Sequence, residues 1–405
     1  MRRICWHSLT GSVEKGGDRG LMTNLSESLE DGYVRPQQKI YTAYGIHRNP
    51  GSPGVQMIRF GPAGIPLSCK GRTLKDGIED VHKLGLTAME AQLVRAHVAE
   101  RAPEPEEIGL KPRNLTNDMV IEIIRKKGDK EQVVSDLDEP IRKGDTLVSL
   151  TSGIAKSYQE LRTLRNMADE LDVELSIHTP YYMDLVGEGE LSFKSRDSIK
   201  WAGLMAKELG AAAVVTHMGL YGDVTPKTAQ KRISERVGLL AKWYKKQGID
   251  VPIGLELSGR QEIFGALPEI LKTCREIDGV IPVVNFAHYH ARENGILREP
   301  KDFDELLDDV WDQTDGEFYA HFSGVEHEGG NEKRFTSIKK GDLRFEPLAE
   351  AIVERNQPIT IISGSPLLEH DAMYMKVILE RVLAKKVSKE TKTVTREKDK
   401  KAGSR

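Results

Sequence analysis

Eight short apolar runs rich in β-branched residues recur along the middle of this chain, each followed by a stretch with helical spacing. That alternation constrains the fold more than any other feature of the sequence. The runs are Met57–Phe60, Ala88–Val94, Val173–His178, Ala212–His217, Ile253–Leu257, Ile281–Phe286, Phe318–Phe322 and Ile359–Ser363. Between them lie LKDGIEDVHKLG, SIKWAGLMAKELG, AQKRISERVGLLAKWYKKQG and PEILKTCREIDG, most closed by Gly or Asp, the expected helix stops. Eight strand–helix units over roughly 330 residues predict an α/β fold, a single closed (β/α)8 TIM barrel. An open doubly wound sheet would carry a Gly-rich phosphate loop after its first strand, and GPAGIPLSCKG is a weak match to one.

Three segments fall outside that rhythm. Residues 1–56, rich in Gly, Ser, Asn and Pro, read as a poorly ordered extension, with Met57 as the start of the fold. The barrel runs from 57 to 384, interrupted at about 98–151 by a small insert after the second strand. That insert holds an amphipathic run, NLTNDMVIEIIRKKG, and possible strands in EQVVSDL and DTLVSL. It falls on the face where barrel insertions shape substrate access. Residues 385–405 read as a basic, disordered tail.

Composition narrows the function classes. Of 405 residues 39% are hydrophobic and 30% charged, which is enough for a sizeable core, and no run is long and apolar enough for a membrane helix. The start, MRRICWHSLTGS, has no apolar stretch behind its basic residues, so no signal peptide is expected. Cys5, Cys69 and Cys274 are scattered and form no CxxC pair, which argues against disulfides or a thiolate zinc site and for a cytoplasmic setting. The net charge of −3 combines a tail of nine Lys/Arg and three acids with an extension of seven and five, which leaves −11 for the body. An acidic body disfavours a broad phosphate-binding face, although bound divalent metal would offset part of that charge.

The chemistry-bearing residues sit where the strands end. His178 ends the third run, His217 the fourth and Glu256 the fifth. Asn285 ends the sixth, with His288 and His290 just beyond, and His321 lies in the seventh. In a barrel these positions converge on one spot. Two histidines and a glutamate with an open position are the ligand set of a hydrolytic zinc site, and the same donors suit manganese, iron or cobalt. His178, His217, Glu256, His321, His288 and Asn285 are therefore the candidate metal set, with His178, His217 and Glu256 at the catalytic centre. Asn285 has the alternative reading of a satisfied core amide, and His290 of a solvent-facing side chain.

These motifs also carry a resemblance. LSIHTPYYMDL, VVTHMG, IGLELSG, VVNFAH, YAHFSG and ITIISGSP resemble, in order, the strand-end motifs of the endonuclease IV family, part of the wider xylose-isomerase-like barrels. The similarity spans most of Met57 to Ala384 outside the insert and is greatest to archaeal-type members. The resemblance implies a DNA-repair hydrolase that cleaves on the 5′ side of abasic sites with a cluster of up to three zinc ions. It implies a first metal on His178, His217 and Glu256. A second would be shared by Glu256 and His321, and a third would use His288. Tyr181 and Tyr182 match the loop that enters DNA at the lesion, with barrel-rim packing as their alternative. The chain departs from the family pattern at Asn285 and Gly364, where carboxylates are expected, and at Lys333 and Phe335, where an Asp and a His are expected. The first site is thus intact and the second and third are degraded. Glu326, Glu328, Glu369 and Asp371 are the nearby carboxylates that could substitute.

The implied partner is DNA with abasic sites, with no membrane or protein partner inferred. A sugar isomerase or epimerase acting on a small sugar or sugar phosphate is the alternative on the same barrel. A non-catalytic relative is a third reading.

Overall fold

The computed structural model of the protein describes residues 58–402 except 129 and 315–317, with backbone alone at 390 and 392–402. The expected N-terminal extension lies outside the described residues. Eight parallel strands carry the core: β1 (Ile58–Pro62), β2 (Ala88–Gln92), β7 (Glu174–His178), β8 (Val214–Thr216), β9 (Ile253–Glu256), β10 (Val280–Asn285), β11 (Phe318–Phe322) and β14 (Ile359–Ser363). Their order is β1-β14-β11-β10-β9-β8-β7-β2, and a parallel bridge from Ala63 to Glu90 joins the two ends into a barrel. At that seam a Cβ on Gly61 would collide with the Ala88 carbonyl, so glycine is what lets β1 and β2 approach. All eight strands fall within or beside the eight runs expected from the sequence.

The helices form the outer ring: α1 (Leu74–Lys83), α2 (Tyr158–Glu170), α3 (Glu190–Leu209), α4 (Pro226–Lys246), α5 (Leu267–Glu276), α6 (Phe286–Arg292), α7 (Pro300–Trp311), α8 (Phe345–Arg355) and α9 (Glu369–Ala402). Their ends are set by local chemistry. Thr73 and Asp76 form a capping box on α1, and Ser157 caps α2. Pro226 occupies the first turn of α4. Gly210, at φ 68°, ends α3 in the left-handed conformation glycine adopts without penalty. Inside the barrel Ala88, Ala213, Val215, Ile281, Val283, Tyr319 and Ile362 pack as one cluster. The strand period of two then carries that inward side up to Glu90, His217, Asn285 and His321 at the C-terminal rim.

The insert is a four-stranded antiparallel sheet of order β3-β6-β4-β5: β3 (Ala96–Arg101), β4 (Val120–Lys127), β5 (Lys130–Val134) and β6 (Thr146–Ser152). The amphipathic run holds β4, whose apolar residues Val120 and Ile123 join Leu115, Ile141 and Leu147 in a small core of the insert. Arg101 clamps Glu107 and Asp118, and the Tyr158 hydroxyl donates to the Val120 carbonyl. The insert lies along the outer flank, where a cleft separates its residues 132–138 from the C-terminal ends of α3 and α4. None of its described residues lines the cavity at the barrel mouth. The expected disordered tail instead continues α9 as helix to Ala402. No helix among the described residues is long and apolar enough to cross a membrane.

Candidate metal centre

Glu256 is the hub of the rim. Its Oε2 lies 3.0 Å from His178 Nε2 and 3.2 Å from His217 Nδ1. Its Oε1 accepts from Asn285 Nδ2 at 2.9 Å and lies 3.0 Å from His321 Nδ1, while His288 Nε2 stands further off at 3.9 Å. These side chains come from neighbouring barrel strands and the turns at their ends, and Glu256 itself is almost wholly buried.

Donor chemistry on the His178 side fits a cation. His178 Nδ1 lies 2.7 Å from the Thr179 carbonyl, which can only accept, so Nδ1 carries the proton. A neutral His178 then turns a bare Nε2 toward the Glu256 carboxylate, two acceptors face to face. A proton or a metal ion must stand between them. Donors around a tetrahedral zinc at bond lengths of about 2.1 Å stand about 3.4 Å apart, slightly further than the 3.0 and 3.2 Å that separate Glu256 from His178 and His217 here. His178, His217 and Glu256 place their donor atoms within 4.8 Å of one another.

Without a metal, a proton makes that link: burial would lower His178, but Glu90 and Glu256 raise it. Burial alone would raise the Glu256 carboxyl, but His217 and His321 beside it and hydrogen bonds from His178 and His321 hold it well below the usual carboxylate range. Burial pushes His217 down to about 4, so its ring stays neutral and available as a ligand. His321 is driven the other way. Burial would lower it, but Glu90 and Glu256 on either side raise it to about 10.

Glu90, on β2, is a carboxylate that sequence reasoning missed. It is 1% exposed and accepts from His321 Nε2 at 2.8 Å, Tyr319 Oη at 2.9 Å and Gln92 Nε2 at 2.8 Å. The signal for it was a glutamate in step with Ala88 on the inward side of an otherwise apolar strand. Glu332, on β13 (Asn331–Thr336), is the second omission. It pairs with His288 Nδ1, and its backbone N–H donates to the Gly259 carbonyl, docking the hairpin of β12 (Gly324–Glu328) and β13 across the mouth.

The carboxylates expected to substitute do not reach the site. Glu326 pairs with Arg334 and Glu328 with Lys333, both on the exposed hairpin. Glu369 is buried but accepts from the backbone N–H groups of Leu67 and Ser68, and Asp371 from Ile338. Asn285 is not placed as a ligand. Its Nδ2 donates to Glu256 and its Oδ1 accepts the His288 N–H as the cap of α6, so both ends of the amide are used. Phe335 packs on the His288 ring at 5.1 Å and also fills the space in front of Gly364.

His290 is buried rather than solvent-facing. With His327 and Asp342 it forms a second group of metal-compatible donors. The Leu297 N–H donates to His290 Nδ1, however, which places the ring proton on Nε2, 3.3 Å from Asp342 Oδ1. That tautomer suits a carboxylate tie between α6 and the loop at residue 342, not a cation.

Beside His217 and His288 opens a cavity of about 710 Å³, lined by Tyr181, Tyr182, Leu191, Leu220, Ile263 and Arg260 among others. Tyr181 meets the His217 ring edge-on at 5.1 Å, and both tyrosines are exposed.

Residues 146–367, which carry His178, His217, Glu256, Asn285, His288 and His321 but not Glu90, match the family model described as xylose isomerase-like TIM barrel. A protein of Methanocaldococcus jannaschii, described as uncharacterized, is 26% identical over 210 residues, covering 50% of this chain and 76% of that protein. Endonuclease IV from Thermus thermophilus superposes with a TM-score of 0.52 at 17% identity, over 80% of this chain and 99% of that one. A D-tagatose 3-epimerase-like protein gives a TM-score of 0.44 at 19% identity, over 57% and 85%.

Proposed function

The chain belongs to the xylose isomerase-like TIM barrel family, and on that premise we propose that it is a divergent endonuclease IV-like metal-dependent phosphodiesterase acting on abasic or damaged DNA. The observation that carries this reading is the His178–Glu256–His217 set, with the His178 tautomer fixed by the Thr179 carbonyl. Zinc is the metal best suited to two imidazoles and one carboxylate, with manganese as the alternative. When bound, such an ion lowers the pKa of water and polarises a phosphoryl oxygen.

The protein's own groups do the positioning. His217 stays neutral, His178 is fixed in one tautomer, and Asn285 with His321 holds Glu256 so that Oε2 faces both ligands. Tyr181 and Tyr182 stand exposed at the rim, where aromatic faces can stack on an unpaired base. A single intact site must then do the work that the family divides over several metals.

The test is strand cleavage of a duplex carrying one abasic site, with and without chelator, across several divalent metals. Chelator-sensitive nicking on the 5′ side of the lesion is expected. Folded protein that leaves the duplex intact with every metal overturns the proposal.

The mouth cavity favours a second reading, an isomerase or epimerase of a small sugar or sugar phosphate, because its 710 Å³ suits a small molecule. The two readings separate on salt-dependent binding to abasic duplex, which a nuclease requires and a sugar enzyme does not.

A further inference from the structure

Glu90 accepts from His321 but touches none of the three donors of the first site. We propose that it is a positioning residue of the metal centre, acting through His321, an assignment that rests on the metal-dependent reading above.

A carboxylate buried to 1% in the middle of a barrel is expensive unless every lone pair has a donor. An apolar residue like Ala88 two positions earlier would fill that side of β2 without the expense. Two neutral donors fix the carboxylate, Gln92 Nε2 on Oε1 at 2.8 Å and Tyr319 Oη on Oε2 at 2.9 Å. Oε2 also receives His321 Nε2 at 2.8 Å.

A carboxylate can only accept, so the His321 Nε2 must carry a proton and turn toward Glu90. The opposite nitrogen, Nδ1, then faces Glu256 Oε1 at 3.0 Å, in the buried rim. Asn285 and His321 together occupy the Oε1 side of Glu256, which leaves Oε2 to His178 and His217. Glu90 thus sets the ring, the ring sets Glu256, and Glu256 presents one oxygen to the ligand pair. The relay crosses the barrel from β2 through β11 to β9. It places a supporting carboxylate on a strand that supplies no ligand, in a chain that lacks one at Gly364. Carboxylates that orient metal-site histidines in this way typically carry roughly 10–100-fold in metal affinity.

The experiment compares wild type with Glu90→Gln and Glu90→Ala for zinc affinity, by competition against a chromophoric chelator. Near-UV circular dichroism reports folding. Both variants are expected to bind zinc roughly 10–100-fold more weakly. A folded Glu90→Gln or Glu90→Ala that matches wild type overturns the role of Glu90 and leaves the metal reading intact. A wild type that takes up no zinc overturns the metal reading and this one with it. Should neither variant fold, the ring of His321 in wild type decides. Long-range proton–nitrogen correlation of the zinc-loaded protein is expected to show a proton on Nε2, and a bare Nε2 overturns the proposal.

Discussion

The ring of Phe335 stands against Gly364, where a Cβ would meet its Cε2 at an ordinary contact of 3.5 Å and a longer side chain pointing that way would run into the ring. Phe335 and Gly364 occupy the positions at which the endonuclease IV pattern expects a histidine and a glutamate. In this chain a packing contact stands at those two positions. The same ring rests on His288, whose Nδ1 is held by Glu332. The β12–β13 hairpin thus sets an aromatic ring and an ion pair against His288.

That contact gives a double-mutant test. Gly364→Glu alone forces a long side chain into the Phe335 ring and should cost about 1–3 kcal/mol of stability. Phe335→Ala opens the space, so the pair should be less destabilised than the two single changes summed. Denaturant melts of the four proteins measure the coupling, and strict additivity would show that the two side chains do not compete for one space.

Removing the hub carboxylate should empty the centre. Glu256→Gln leaves His178 and His217 in place but takes away the anionic donor that both face. Zinc content after gel filtration is expected to fall to background, together with any chelator-sensitive nicking. A Glu256→Gln protein that retains a full equivalent of zinc would remove Glu256 from the ligand set.

Asn285→Asp tests why an amide stands where a carboxylate is expected. The Asn285 amide donates to Glu256 Oε1 at 2.9 Å, and an aspartate there would set two buried carboxylates against each other. In excess chelator the variant should lose on the order of 3 kcal/mol. Added zinc should raise its melting temperature more than that of wild type, because a cation relieves the repulsion. Equal zinc-induced shifts in the two proteins would argue that residue 285 does not face the cation.

Metal-free stability should depend on His321. Its folded pKa is raised from 6.5 to about 10 by Glu90 and Glu256 against the effect of burial. A raised pKa contributes stability that is fully present below 6.5 and is lost as pH rises through about 10. Melting temperatures in excess chelator should therefore decline across that window, with a shallower slope in His321→Gln. Equal slopes would show that His321 is not the titrating group.

The local sequence was enough for the scaffold and for the residues it brings to the rim. Period-two alternation and strand ends are properties of a few adjacent residues, so the eight strands and the rim positions of His178, His217, Glu256 and His321 were legible in the chain alone. So were most helix stops, because glycine at a helix end acts through its own backbone. The insert was legible only in pieces, since a short apolar run such as VIEII fits strand and helix alike until its partners are known.

What the sequence could not decide were contacts made across the barrel. Glu90 and His321 are 231 positions apart, and nothing local marks a lone glutamate in an apolar strand as the partner of a distant histidine. Glu332 was hidden beside the two positions where the family pattern drew attention, Lys333 and Phe335. His290 lies two residues from His288 on α6, yet one faces Glu256 and the other Asp342. The roles of Asn285 and Phe335 likewise depend on what stands opposite them. The sequence alone determined which strands form and what they carry to the rim, because backbone geometry repeats. Tertiary structure alone decided which donor each buried acceptor meets, because a buried polar group must take its partner from whichever strand closure brings beside it.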